Sequence, residues 1–312
     1  MIQVVGLKMV EQWCVRVPAG QGETVRQELI RVGILDTTLK VRREGTELCI
    51  PVTGPRGGAE RCEFEPNPAR VELPRHELVG GIAIMQECDP AGAERILAAR
   101  PSLHTVVYTD GEVAGEYRTR EFQVLAGKPT TRTEVTEYGH QFAVDLSAAY
   151  FSARLSTERQ RILAQVQAGE IVLDMFAGVG PFAIALAERA EFVAAADLNP
   201  RAIGLMLENI AKNRTKNILP LLADAHHLPQ LLPWKFDRIV MNLPLSGTAF
   251  LADAFRLCRA GGTIHFYSLV SAEGEYRDAI RDLGGEIMIE HVVRSYSPAQ
   301  WHAVYDIVVQ QS

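Results

Sequence analysis

Apolar and polar positions follow two rhythms along this chain, and the change falls near Ser156. Before it, short apolar runs are cut by turn residues. Residues 1–65 read as a strand (Trp13 to Val17), a helix (Gly22 to Val32) and two strands (Leu39 to Glu44, Thr46 to Val52). They make a small α+β unit closing in Pro51-Val-Thr-Gly-Pro-Arg-Gly-Gly58, and Pro66-Asn-Pro68 reads as a linker. Residues 69–150 hold strands near Ile82–Met85, Thr105–Tyr108 and Phe122–Leu125 and a helix over Ala91–Arg100. A hairpin follows, turning at Tyr138-Gly139-His140. From Ser156 helices and strands alternate, with strands at Ile171–Asp174, Phe192–Asp197, Ile218–Leu222, Arg238–Met241, Gly262–Ser268, Glu286–Val293 and His302–Val309. Helices are expected over Pro200–Asn213 and Thr248–Cys258. Such alternation predicts an α/β fold, a doubly wound parallel sheet with an antiparallel strand at its end. Three domains are expected: 1–66, 69–150 and 151–312.

In sheets of this kind ligands bind beyond the carboxyl ends of the strands, which is where Asp174, Asp197, Asp224 and Asn242 fall. The most informative stretch is Ile171-Val-Leu-Asp-Met-Phe-Ala-Gly-Val-Gly-Pro-Phe182. A buried strand ends in Asp174, and Ala177-Gly178-Val179-Gly180 allows a tight turn and close approach to a ligand before a helix opens. A second strand delivers Asp197, followed by Leu198, where a carboxylate can grip the hydroxyls of a ribose. The unit reads as a site for a nucleoside-containing cofactor. A nicotinamide dinucleotide is not excluded by spacing, since Ala183 stands at the third position of G-x-G-x-x-G. Asp174 tilts the choice: it would repel a pyrophosphate and attract the cationic centres of S-adenosylmethionine. With Phe176, the pattern resembles motif I of class I methyltransferases.

Composition narrows the picture further. The 312 residues are 47% hydrophobic with mean hydropathy +0.01, and the most apolar window is broken by Asp174, Gly178, Gly180 and Pro181. No membrane span is therefore expected. Met1 to Gly22 lacks the basic-then-apolar pattern of a secretion signal. Cys14, Cys49, Cys62, Cys88 and Cys258 are scattered and without a C-x-x-C pair, which suggests a reduced, cytoplasmic protein with no metal. The net charge of −6 does not rule out a nucleic-acid partner, because a local basic patch suffices. Arg118, Arg120, Lys128, Arg132, Arg154, Arg159 and Arg161 cluster, although acids among them equally suit a solvated mixed-charge surface.

Two further segments carry candidate chemistry. Met241-Asn-Leu-Pro244 follows an apolar strand, so Asn242, held by a proline-stiffened loop, can hydrogen-bond a planar amine-bearing base. An ordinary strand-end turn uses the same residues. Phe151-Ser-Ala-Arg-Leu-Ser-Thr-Glu-Arg159 opens a helix, where Glu158 is equally readable as a first-turn acid favoured by the helix dipole.

Taken together, Tyr150-Phe-Ser-Ala-Arg-Leu-x-x-Glu-Arg159, Asp174-Met-Phe-Ala-Gly-Val-Gly-Pro-Phe182, Asp197-Leu-Asn-Pro200, Met241-Asn-Leu-Pro244 and Arg294-Ser-Tyr-Ser-Pro-Ala299 resemble the archaeal and eukaryotic Trm-five family of tRNA (guanine-37-N1)-methyltransferases. The resemblance implies S-adenosyl-L-methionine as cofactor and a tRNA with guanosine at position 37 as partner. It also implies two RNA-contacting domains ahead of the catalytic one, and a monomer is expected. By the same resemblance Glu158 is the general base, Arg118 the cation that meets charge on guanine O6, and Asn242 the loop residue beside the base. Asp174, Phe176, Ala177, Gly178, Gly180, Asp197, Leu198, Asp224, Asn242 and Pro244 are the expected cofactor contacts; Arg118, Arg154, Tyr150 and Pro244 are the expected substrate contacts.

This chain departs from the family pattern at Ala153, usually proline, and at Leu245-Ser-Gly-Thr248. The alternatives are a wyosine-pathway transferase acting at the same tRNA position, a non-catalytic RNA-binding protein and a dehydrogenase. The expected boundaries would let a fragment from about Leu146 bind cofactor but not tRNA productively.

Overall fold

The computed structural model describes residues 9–55, 57–67, 72–109, 111 and 120–310. The chain divides into two compact units, Met1–Glu72 and Leu73–Ser312.

In the first unit, β1 (Val10–Pro18), β2 (Arg42–Glu44), β3 (Glu47–Val52) and β4 (Glu60–Phe64) form an antiparallel sheet in the order β2-β3-β1-β4. Helix α1 (Gly22–Arg31) supplies Leu29 to one face, where Val17, Ile50 and Val52 are buried. The other face buries Cys14, Cys49, Cys62 and Phe64 with Leu39. Strand β4 was not anticipated: only Cys62 and Phe64 of its five residues point inward, too short an alternation to stand out beside a Pro- and Gly-rich stretch.

The second unit opens with β5 (His76–Val79), β6 (Ile82–Met85), α2 (Pro90–Ala99), β7 (Thr105–Tyr108) and β8 (Gln123–Gly127), giving a sheet β5-β6-β7-β8 in which only β6 and β7 are parallel. Asp89 caps α2 by accepting the Gly92 N–H at 2.8 Å. A hairpin of β9 (Arg132–Glu137) and β10 (His140–Asp145) turns through Tyr138 and Gly139, both at positive φ.

Then come α3 (Ser156–Gln165), β11 (Ile171–Asp174), α4 (Pro181–Leu186), β12 (Phe192–Asp197), α5 (Pro200–Lys212), β13 (Ile218–Leu222), α6 (Leu228–Leu231), β14 (Phe236–Asn242), α7 (Leu251–Leu257), β15 (Cys258–Val270), α8 (Arg277–Asp282), β16 (Gly285–Ser297) and β17 (Gln300–Val309). The large sheet runs β13-β12-β11-β14-β15-β17-β16, with apolar clusters on both faces. The first five strands are parallel, as expected. The antiparallel strand is not at the end: β17 is inserted between β15 and β16 and is antiparallel to both. Its near-continuous burial, from His302 to Ile307, is that of an interior strand.

The second unit is bound together across residue 150. Asn209 of α5 is fully buried; its side chain accepts the Ala143 N–H at 2.7 Å and donates to the Ala143 and Val179 carbonyls. Asn213 bonds Gln141 in the same two-way fashion. Phe142, Val144, Ala148 and Phe151 share a core with Val179, Ile184 and Leu205. The hairpin and the large sheet are therefore one packed body.

Candidate active site

The turn after β11 is built by backbone geometry. Gly178 and Gly180 have φ of +55° and +88°, conformations that side chains disfavour, and a Cβ on Gly180 would lie 2.8 Å from Met206 Cγ. Asp197, at the end of β12, clamps this turn: Oδ2 accepts the Gly178 N–H at 2.7 Å and Oδ1 the Asn199 N–H at 2.8 Å. Asn199 in turn caps α5 and donates to the Ala148 carbonyl at 2.7 Å. The acid expected to meet a ribose thus also holds the glycine loop in shape. Burial raises its carboxyl above the usual range, and the N–H groups of Asn199, Gly178 and Leu198 offset part of that.

Asp174 is 1% exposed; no side chain donates to its carboxylate, and only the backbone N–H groups of Phe176 and Ala183 approach it, without forming a well-aligned hydrogen bond. Burial pushes its pKa up to about 7. A buried, unpartnered acid is costly unless a cation or donor satisfies it. Asn242, on the adjacent strand β14, also leaves its buried Oδ1 without a partner. These orphans fit a ligand with a cationic and amine-bearing part at the carboxyl ends of β11 and β14, as S-adenosylmethionine has.

Around them lie Asp224, whose Oδ1 accepts the His226 N–H at 2.9 Å, and the half-exposed Leu198. Phe176 meets Phe250 edge-on at 5.1 Å between ring centroids, and Phe250 stacks on His226 at 4.1 Å. Phe250 and His226 were not read from the sequence; only folding brings them to Phe176. The loop after Asn242 is pinned by Gly247 N–H donating to the Leu243 carbonyl and Leu269 N–H to that of Pro244.

Glu158 lies in the first turn of α3, yet it is no solvated helix acid. It is 7% exposed; Oε2 accepts from Arg161 Nε and the Tyr267 hydroxyl, each at 2.9 Å, and Oε1 from His291 Nε2 at 3.2 Å. Burial alone would raise its pKa, but these three donors outweigh it and keep the carboxyl below the usual range. A carboxylate has about four acceptor positions, so one on Oε1 stays open. Tyr267 pairs in register with Asn242, which puts Glu158's hydroxyl partner one strand from the orphaned amide. Tyr267 and His291 escaped the sequence reading because they come from β15 and β16, more than 100 residues downstream.

From Glu158 a largely buried chain of ionisable groups leads away from the site. Arg161 also bonds Asp306 (Nη1 to Oδ2, 2.5 Å); Asp306 Oδ1 meets His265 Nδ1 at 2.6 Å; His265 Nε2 meets Arg238 Nη1 at 2.8 Å; and Arg238 forks onto Glu170 at 2.8 and 2.9 Å. An arginine can only donate, so His265 Nε2 accepts and Nδ1–H donates to Asp306. Burial holds His265 below its ordinary pKa. Beside this chain His302 is 1% exposed with both ring nitrogens unpartnered, and burial lowers its pKa to about 4.

Most of the clustered arginines prove to be paired. Arg159 is buried and forks onto Glu137 at 2.6–2.9 Å, and Arg161 bonds Glu158 and Asp306. Arg132 pairs with Glu208, and Arg154 with Glu77 at 3.0 Å. The solvated mixed-charge reading therefore holds for Arg132 and Arg154, which stay exposed, whereas Arg159 and Arg161 are drawn into buried or part-buried ion pairs. Tyr150 is 43% exposed, so its ring is available to a base. Arg118 lies outside the described residues.

The glycine turn, its aspartate clamp and the orphaned acid are those of a methyltransferase, and residues 133–291 match the TRM5/TYW2 methyltransferase domain. The chain belongs to that family. Residues 14–60 match the tRNA methyltransferase 5 N-terminal domain. The chain is 39% identical to the tRNA (guanine(37)-N(1))-methyltransferase Trm5b of Pyrococcus abyssi, over 95% of this chain and 98% of that protein. It is 33% identical to the tRNA 4-demethylwyosine(37)-methyltransferase Taw21 of Saccharolobus solfataricus, over 69% of this chain and 83% of the relative. Among solved structures, that of P. abyssi Trm5b superposes with a TM-score of 0.77 at 36% identity, covering 96% of this chain and all of the other. A complex of aTrm5 with tRNALeu superposes at 0.71 and 28% identity, covering 95% and 99%.

Proposed function

We propose that this TRM5-family methyltransferase transfers the methyl group of S-adenosylmethionine to N1 of guanosine-37 in tRNA. The observation that carries the reading is the likeness over nearly the whole chain, both small and large units included, to a protein named for that reaction. Relatives named for wyosine chemistry are less similar, at 30% and 33% identity over about seven-tenths of the chain.

Asp174, Asp197, Asp224, Asn242 and the Phe176–Gly180 turn hold the cofactor, which supplies an electrophilic methyl group. Guanine N1 carries a proton and is a poor nucleophile while it does. Glu158 stays ionised at neutral pH and offers its open Oε1 position to that proton, while Arg161, Tyr267 and His291 fix its direction. Because its pKa lies below the usual range, Glu158 is a weak base, so loss of the proton accompanies methyl transfer rather than preceding it. Arg118 is assigned to the developing charge on O6, and Asn242 to the base edge. A base stacked in the anticodon loop must leave the stack to reach a buried carboxylate, and Tyr150, exposed beside Phe151, offers a stacking face. Residues 1–66 and 69–150 serve as tRNA-contacting domains, with Arg154 and Pro244 at the substrate. The enzyme acts as a monomer in the cytoplasm; among the described residues no helix is long and apolar enough to cross a membrane.

The test is transfer of labelled methyl to tRNA transcripts carrying guanosine or adenosine at position 37, followed by nucleoside identification. The expected product is 1-methylguanosine from the first transcript alone. An aminocarboxypropyl nucleoside, or no transfer at all, would overturn the proposal.

A further inference from the structure

Three cysteines that the sequence scatters are gathered by the first unit's sheet. Cys14 sits on the central strand β1; Cys49 on β3 and Cys62 on β4 flank it, each offset by two residues from its direct cross-strand partner. All three are buried on one face, and their sulfurs lie within 4.8 Å of one another. Cys14 Sγ and Cys62 Sγ are 2.7 Å apart. Glu60 Oε1 stands 3.6 Å from Cys62 Sγ and 3.9 Å from Cys14 Sγ.

A tetrahedral centre with metal–sulfur bonds of about 2.3 Å and a metal–oxygen bond of about 2.0 Å has edges of roughly 3.8 Å between sulfurs and 3.5 Å between sulfur and oxygen. The Glu60 distances to Cys62 and Cys14 are near such an edge, whereas the group whose donor atoms all lie within 4.8 Å of one another holds the three thiols alone, so the carboxylate must swing towards Cys49 to close the tetrahedron. The Cys14–Cys62 pair is too close and needs to open by roughly 1 Å, a small side-chain rotation. We propose that Cys14, Cys49 and Cys62, with Glu60 as fourth donor, form a structural site for a zinc-class divalent cation in the N-terminal sheet.

The balance of charge and packing supports this. Three thiols lose their protons on binding, and the four anionic donors outweigh a divalent cation by two charges. Arg16, which donates to Glu60 Oε1 at 2.7 Å, offsets part of the excess. Without a cation, burial raises the Cys14 and Cys49 thiols above their ordinary pKa, so they rest protonated. Among the described residues, Leu39 and Phe64 alone share the buried cluster with the thiols on this face. So small a core is where a metal staple contributes most.

The rival is a Cys14–Cys62 disulfide, which would leave Cys49 without a part and Glu60 to its ion pair with Arg16. The test uses the full-length protein, stripped with chelator and kept reduced, titrated with cobalt(II). The expected result is one equivalent bound, with the sulfur charge-transfer and intense visible bands of a tetrahedral thiolate site. Zinc should displace it, with release of up to about three protons. Cys49→Ser should weaken binding by more than the roughly 10–100-fold that loss of an outer-shell partner costs. Should that variant not fold, the parent's cobalt spectrum and proton release still decide. No tight binding, weak octahedral bands, or a Cys14–Cys62 disulfide in the isolated protein with cobalt bound only after prolonged reduction and without thiolate bands would overturn the proposal.

Discussion

Glu158 and Asp174 are both buried carboxylates, yet their surroundings push them in opposite directions. Glu158 has three side-chain donors and remains charged; Asp174 has no side-chain donor, and burial outweighs the nearby N–H groups of Phe176 and Ala183 and pushes it up to about 7. Glu158→Gln keeps the size of the side chain but cannot take a proton. Single-turnover methyl transfer should fall by about 10²–10⁴-fold with cofactor and tRNA affinities little changed. Near-parental rates would remove Glu158 from the chemistry. For Asp174 the sign is that of a raised acid. The unfolded chain ionises above about pH 4, so the stability the neutral acid lends is lost as pH rises from there towards about 7. A cationic cofactor reverses the preference and drives the proton off. Calorimetry in buffers of different ionisation enthalpy should show approaching one proton released on S-adenosylmethionine binding near pH 6, fading above pH 8. Equal release in Asp174→Asn would assign that proton to another group.

At the scale of elements, α3, β15 and β17 meet through the chain Glu158–Arg161–Asp306–His265. Arg161 divides its charge between Glu158 and Asp306, and the latter's carboxyl is held far below its usual range despite burial, by His265 and Arg161. Asp306→Asn leaves Arg161 to Glu158 alone, which lowers the pKa of Glu158 and so weakens the proposed base. The acidic limb of the pH–rate profile should therefore move to lower pH. The plateau should fall by less than the roughly 10²–10⁴-fold expected for losing the base itself. Stability should drop by less than the roughly 3–5 kcal/mol of a fully broken buried pair, since Arg161 keeps one partner. If stability falls while the limb stays put, the network is scaffolding only.

For the whole molecule, the divide at Glu72/Leu73 has a practical consequence. A fragment begun at Leu146 would lose the hairpin whose Phe142 and Val144 complete the core around Val179 and Leu205. One begun at Leu73 keeps it. Residues 73–312 should bind S-adenosylmethionine like the full chain but bind tRNA more weakly, and full activity of that fragment would dismiss a role for the first unit. Affinity of the complete protein for tRNA should fall steadily as salt rises, since phosphate contacts release counterions; a flat response would argue against such contacts.

Local rules made much of this protein legible in its sequence. The strands Ile171–Asp174, Phe192–Asp197 and Ile218–Leu222 appear as read: the first two are buried parallel strands, plain apolar runs bounded by glycine and polar residues, and the third is an apolar run at the half-exposed sheet edge. Asp174 and the glycine turn are contiguous, and Asp197 follows within one helix and one strand, so this unit needs no long-range information. Tertiary structure decided what depends on distant partners. It placed β17 inside the sheet, because strand order follows from packing rather than from chain order. It turned Glu158 from a helix-opening acid into a buried carboxylate held by Tyr267 and His291, and withdrew Arg159 and Arg161 into ion pairs. It also brought Cys14, Cys49 and Cys62 together across three strands. Hydrophobic periodicity reports which face of an element is covered; it carries no record of which charged or thiol group waits on the other side.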